Sequence, residues 1–130
     1  MDAGVSVCAV TLAVILAGVP VAHAHHSAAA TYDADRSLAI VGTVAAFAWK
    51  NPHCHLYIDV SQGPFKGRRY TVELSSAEVL AETGWTKTLL RPGDHVAMNV
   101  RPSRAGAAIG LCRGCPMTVN GVARRGTAGN

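Results

Sequence analysis

The feature that most constrains this chain is a run of 14 uncharged residues, Val5 to Gly18 (VSVCAVTLAVILAG), closed by Pro20. Ala22-His23-Ala24 follows with the small-x-small spacing that signal peptidase reads. Residues 1–24 are therefore read as a cleavable signal peptide, although Met1–Gly4 lacks the usual Lys or Arg. The other reading is an uncleaved membrane anchor, for which the run is short, since a spanning helix needs about 20 apolar residues. Cleavage near Ala24 leaves about 106 residues, enough for one domain with one modest core. The expected location is periplasmic or secreted, with no transmembrane span after cleavage.

Asp2 is the one charged residue in that leader, so the remaining chain holds 12 basic and 7 acidic residues, a net charge of +5. The charges are scattered. An exported chain of this kind is expected to use them for solubility or for an anionic surface rather than for nucleic acid. Only 5% of the residues are aromatic, while Ala, Val and Gly dominate, so any barrel must be compact.

Along the rest of the chain, period-two alternation recurs. His25–Ser37 has no clear period and reads as an extended arm. Leu38–Trp49 is the first strand, with Val41, Thr43, Ala45, Phe47 and Trp49 on one face. Gly42 within it predicts a bulge or sharp bend. In the second strand, His53–Val60, Cys54, Leu56, Ile58 and Val60 share the expected core face. His53, His55, Tyr57 and Asp59 point the other way. Arg68–Leu74 is the third strand, with Tyr70, Val72 and Leu74 inward. A helix follows over Ser75–Glu82, capped by Ser75 with Glu78 and stopped at Gly84. Trp85 is expected to plug the barrel end. Arg91-Pro92-Gly93-Asp94 is a turn. His95–Val100 is the fourth strand, and Ala107–Cys112 the fifth. Cys115–Val119 either continues the fifth or pairs beside it. Asn120-Gly121 signals a type I′ turn, and residues 123–130 read as a disordered tail. Three strands, a helix and two strands predict an all-β domain over residues 38–122: a small five-stranded OB-like barrel with one short capping helix.

Several blocks resemble an uncharacterised family of exported bacterial proteins, domain of unknown function 6152. They are Ala24-His25-His26-Ser27, Gly42-Thr43-Val44, Trp49-Lys50-Asn51-Pro52-His53, Gly84-Trp85 through Leu90, and Pro92-Gly93-Asp94. The resemblance covers about residues 22–122. It implies a small exported β-barrel and brings no catalytic residues. Cys54-His55 and Cys112-Arg113-Gly114-Cys115 depart from the family pattern, so any role for them belongs to this chain.

Two constellations could carry chemistry. Cleavage after Ala24 would make His25 the first residue, able to chelate through its α-amine and ring together. His26, His53 and His55 would add imidazoles, a nitrogen set that suits copper, with zinc as an alternative. The bland reading is a solvated end and histidines that pack or hydrogen-bond near a turn. Cys112-x-x-Cys115 has the spacing of redox pairs, and an oxidising compartment favours a disulfide between them. The thioredoxin-type setting, a helix N-terminus after a strand, is absent, and a soft-metal site with Cys54 and a His is the further option. No serine elbow, phosphate loop or dinucleotide fingerprint is present, so a non-enzymatic protein is expected. The leading expectation is a periplasmic copper-binding module using His25, His26, His53 and His55. The alternatives are an interaction protein for an envelope partner without metal, and a thiol–disulfide redox protein using Cys112 and Cys115.

Overall fold

The computed structural model describes residues 27–125. The leader, His25, His26 and residues 126–130 lie outside the described residues. The elements are α1 (Ala28–Thr31), β1 (Leu38–Ala48), β2 (His55–Val60), β3 (Arg69–Glu73), α2 (Ala77–Glu82), β4 (His95–Pro102), β5 (Ile109–Leu111), β6 (Pro116–Val119) and β7 (Val122–Arg125). Strand β1 pairs antiparallel with both β2 and β4. Strand β2 pairs with β3, β3 runs parallel to β5, and β5 pairs antiparallel with β4. Five strands thus close on themselves with α2 between β3 and β4, the OB-like order expected from the sequence.

The inward faces follow the alternation. Cys54, Leu56, Ile58 and Val60, then Tyr70, Val72 and Leu74, then Val96, Met98 and Val100 are all buried. Trp85, Leu80 and Leu90 belong to the same core. In β1 the alternation breaks. Ile40, Gly42 and Val44 face inward, and then the register with β2 shifts between Val44 and Ala46. This bulge sits at Ala45 and not at Gly42. It lets Phe47 turn towards Trp85, with ring centroids 6.3 Å apart. The Arg91–Asp94 turn docks on the same kink: Gly93 N donates to Val44 O at 2.9 Å and Val44 N to Asp94 O at 2.8 Å.

Gly42 has a different task. It pairs with Val60 on one side and Val96 on the other, where the barrel closes. A Cβ there would collide with the Asp59 carbonyl and stand 2.8 Å from Ile58 Cγ2. Close approach of backbones, not a bend, explains this glycine.

Three local readings are corrected, and one open alternative is decided. The N-cap of α2 is Ser76, whose hydroxyl accepts from Val79 N at 3.3 Å. Glu78 is free to meet Asn51 instead: Asn51 Nδ2 donates to Glu78 Oε1 at 3.3 Å, and Asn51 Oδ1 accepts from Ala77 N at 3.0 Å. The arm is not extended throughout. Ser27 caps the helical turn α1, and Tyr32 is buried and bridged to Ser103. Strand structure does not end at residue 122. Val122–Arg125 form β7, folded back on β6 by Asn120 (φ 50°) and Gly121 (φ 79°). Finally, β6 continues the line of β5 along the same edge of β4. Leu111 faces Arg101 and Met117 faces Met98, so residues 112–116 form an excursion opposite Asn99 and Val100.

The closure argument predicts that Gly42→Ala destabilises the protein by about 3 kcal/mol, because neither neighbouring backbone can retreat without opening the barrel. Urea unfolding of the variant checks this.

Candidate functional site

The excursion at residues 112–116 is held by a disulfide between Cys112 and Cys115, whose Cα atoms are 5.2 Å apart. Its two sulfurs belong to residues in different environments. Cys112 is 2% exposed and part of the core cluster, while Cys115 is half-buried. Gly114 adopts φ 69°, a left-handed turn that glycine tolerates without steric cost.

Glu73, the last residue of β3, anchors this loop. Its carbonyl accepts from Cys112 N at 2.9 Å. Its carboxylate receives the Tyr32 hydroxyl at 2.9 Å on Oε2, while Oε1 faces Arg113 Nη2 at 3.4 Å and His53 Nδ1 at 3.3 Å. Arg113 Nη2 also lies 3.2 Å from His53 Nε2. With Arg113 donating to that nitrogen, the imidazole carries its proton on Nδ1 and donates it to Glu73. Burial, then the hydrogen bond to Glu73, pushes the Tyr32 hydroxyl far above its ordinary range, so it remains a donor. Burial also pushes Tyr70 up to about 12, and its hydroxyl donates to Ile109 O at 2.7 Å, tying β5 to β3.

Two neighbouring residues behave differently. Cys54 is a free, fully buried thiol whose Sγ lies 3.5 Å from Lys50 O. Burial raises its pKa and keeps it protonated. His55, in register with Glu73, has a buried Nδ1 without a hydrogen-bond partner. Burial, followed by the charge of Lys50, lowers its pKa.

The histidine reading meets a specific obstacle. Among the described residues no group of three His, Cys, Asp or Glu side chains is placed to hold a metal ion. His53 has both ring nitrogens engaged by Glu73 and Arg113, and the Nδ1 of His55 is buried rather than presented to solvent. His25 and His26 lie outside the described residues. The cysteine pair, in contrast, is assembled.

Beside the disulfide lies a shallow basin of about 260 Å³, walled by Arg36, Arg101, Arg113 and Cys115. The arm supplies one wall. Asp33 N donates to Pro102 O at 2.9 Å and Arg104 N to Thr31 O at 3.0 Å, which lays residues 31–37 along the end of β4.

A family model matches residues 13–113. The chain belongs to the family of unknown function DUF6152. No curated protein and no solved structure matches it. The family match reaches from before the arm to Arg113, so Cys115 and the β6–β7 hairpin stand beyond it. The motifs that carry the resemblance serve mainly the fold. Asn51, preceding a cis Pro52, holds the start of α2, and Gly84 turns the chain at φ 86° before buried Trp85. Asp94 closes its turn, accepting from Arg91 N at 2.8 Å and from Asn120 Nδ2 at 3.0 Å. Among the described residues of these motifs, His53 alone enters the disulfide neighbourhood, through Arg113. Among the described residues no helix is long and apolar enough to cross a membrane.

Glu73, Tyr32, Arg36 and Arg101 were not visible as site residues in the sequence. An aromatic in an otherwise polar arm was the one available signal, for Tyr32.

The lowered pKa of His55 has a defined consequence. Above its ordinary value of 6.5 the ring is neutral in both states. As pH falls below that value the unfolded chain takes up the proton first, so stability declines until the folded pKa is reached. Urea midpoints between about pH 7.5 and about pH 5.5 should fall for the wild type and stay flatter for His55→Gln.

Proposed function

We propose that this family member is a thiol–disulfide exchange module of the cell envelope, with Cys112 and Cys115 as its reactive pair. The observation that carries the reading is the asymmetry of the disulfide: one half-buried sulfur-bearing residue at the edge of a cationic basin, the other in the core. In exchange, a partner thiolate attacks Cys115 Sγ. The new sulfur–sulfur bond forms as the Cys112–Cys115 bond breaks, and Cys112 leaves as a thiolate that takes a proton from water. A second partner thiolate then attacks the mixed disulfide, releasing Cys115 as a thiolate that is protonated in turn. The partner dithiol is oxidised by two electrons and this protein is reduced by two.

A thiolate at Cys115 needs a positive environment, since among the described residues no helix N-terminus supplies one. Arg101 and Arg113 across the basin meet that need. Cys54, protonated and buried, stays out of the exchange. The apolar run and Ala22-His23-Ala24 support an oxidising, exported setting for such a pair. The role is stoichiometric exchange rather than enzymatic bond cleavage. The copper or zinc reading through His25, His26, His53 and His55 is less well supported, because a metal at His53 would have to displace Glu73 or Arg113.

Equilibration in thiol/disulfide redox buffers, with alkylation trapping and intact mass, tests the reading. The expected result is reversible two-electron titration of Cys112 and Cys115, with Cys115 alkylated first and Cys54 unmodified until denaturation. A pair that stays oxidised in excess dithiothreitol until the barrel is unfolded would contradict it and leave an inert staple.

A further inference from the structure

The basin beside Cys115 is not isolated. It shares Asn99, Gly114 and Pro116 with a larger groove of about 830 Å³ that runs between the outer faces of β1 and β4 and the β6–β7 hairpin. The groove floor is small and apolar: Ala39, Val41 and Ala97. The two cavities meet at the loop that carries the disulfide, and they differ in character. The basin presents Arg36, Arg101 and Arg113, the groove adds Arg124, and among the described residues no carboxylate lines either one. Of the nearby acids, Asp35 is exposed beside Arg36 in sequence and lines neither cavity, and two others are committed elsewhere. Asp33 faces Arg104 at 3.7 Å, and Glu73 is shared by Tyr32, His53 and Arg113. Arg36 and Arg101 are exposed and, among the described residues, their guanidinium groups are in no ion pair.

We infer that the exchange partner is a cysteine-bearing peptide segment, acidic on one side of its cysteine and apolar on the other. Its carboxylates lie over Arg36 and Arg101, its cysteine reaches Cys115 Sγ, and its apolar flank lies on Ala39, Val41 and Ala97. This inference rests on the exchange reading and names its substrate class. Charge complementarity selects the acid: the unpaired Arg36 and Arg101, lining the basin with Cys115, favour an approaching anion and speed its encounter. The continuous apolar groove selects an extended chain over a small anionic thiol, which would use the basin alone. Bidentate pairing of carboxylate with guanidinium would fix the cysteine's distance from Cys115.

The test uses the reduced full-length mature protein and short peptides whose central cysteine is activated as a neutral pyridyl disulfide. The Cys115 thiolate attacks the peptide sulfur and expels pyridine-2-thiolate, which tautomerises to the coloured thione on protonation. Cys112 thiolate then attacks Cys115 Sγ, restoring the protein disulfide and releasing the peptide thiolate. The two protons lost by the protein thiols end on the peptide thiol and the thione, so the electrons and protons balance. Three peptides are compared: acidic with an apolar flank, its Gln-for-Glu analogue, and an acidic peptide whose apolar flank is replaced by Ser.

The acidic, apolar-flanked peptide should react about 10-fold or more faster than the Gln analogue at low salt. The advantage, read as the ratio of the acidic-peptide rate to the Gln-analogue rate on the same protein, should collapse in about 0.5 M salt and in the Arg36→Gln, Arg101→Gln double variant. The Ser-flanked peptide should be slower than its apolar counterpart. Equal rates for acidic and Gln peptides would overturn the inference while leaving exchange itself standing. Equal rates for the apolar and Ser flanks would overturn the peptide assignment and leave only the anionic basin. No reaction with any peptide, with both thiols shown free by alkylation, would overturn the exchange reading as well.

Discussion

Everything in this structure depends on β1 hydrogen-bonding to two strands at once. An open sheet of this length would leave two edges, and the small side chains of the sequence would not fill a sandwich. By pairing with β2 and β4 together, β1 closes the five-stranded barrel, leaving the β6–β7 hairpin at its side, and wraps the core around Ile40, Val44, Leu56, Ile58, Tyr70 and Val72. Gly42 is where that double pairing comes closest, and the bulge at Ala45 bends the strand enough to complete it. The Pro92-Gly93-Asp94 turn fits the resulting kink, which explains a motif of the resemblance as a mechanical part of the barrel rather than of a reactive site.

The disulfide stands in a different relation to the fold. Its ring spans a sequence separation of 3, so in the chain-entropy picture it restrains the unfolded chain by about 2 kcal/mol, less than a bridge over a long loop. It clips an excursion from a strand line that β4 already holds on both sides of it, through β5 and β6. Glu73 then ties that excursion to the rest, binding the loop backbone through its carbonyl and the arm through Tyr32. The proposed exchange site is thereby carried by a scaffold whose own stability comes from the core.

The barrel was readable because its inward positions obey a strict period of two. Cys54 through Val60 and Tyr70 through Leu74 needed no tertiary knowledge, and the order of strands and helix then implied the topology. What failed to show depended on partners far along the chain. Tyr32 is buried because Glu73 lies 41 residues away. Phe47 changes face because of a bulge set by a turn near Asp94. Ser76 rather than Ser75 caps α2, since Asn51 already occupies the Glu78 carboxylate that a capping box would use. The same limit governs the site. Cys112 and Cys115 announce themselves by spacing, whereas Arg36 and Arg101 come to line a basin with Cys115 only after the arm has folded along β4. The histidine constellation suggested a metal because two rings lay two residues apart. Side-chain contacts with Glu73 and Arg113 gave His53 another occupation.

The central claim is that the disulfide is an added reactive site on a barrel that closes without it. Amide hydrogen exchange of the oxidised and dithiothreitol-reduced protein tests this most directly. The account predicts unchanged protection at the strand amides around Ile58 in β2 and Met98 in β4, with faster exchange confined to residues 109–119. Loss of protection throughout β1, β2 and β4 on reduction would contradict it, and would make the disulfide a structural requirement of the fold.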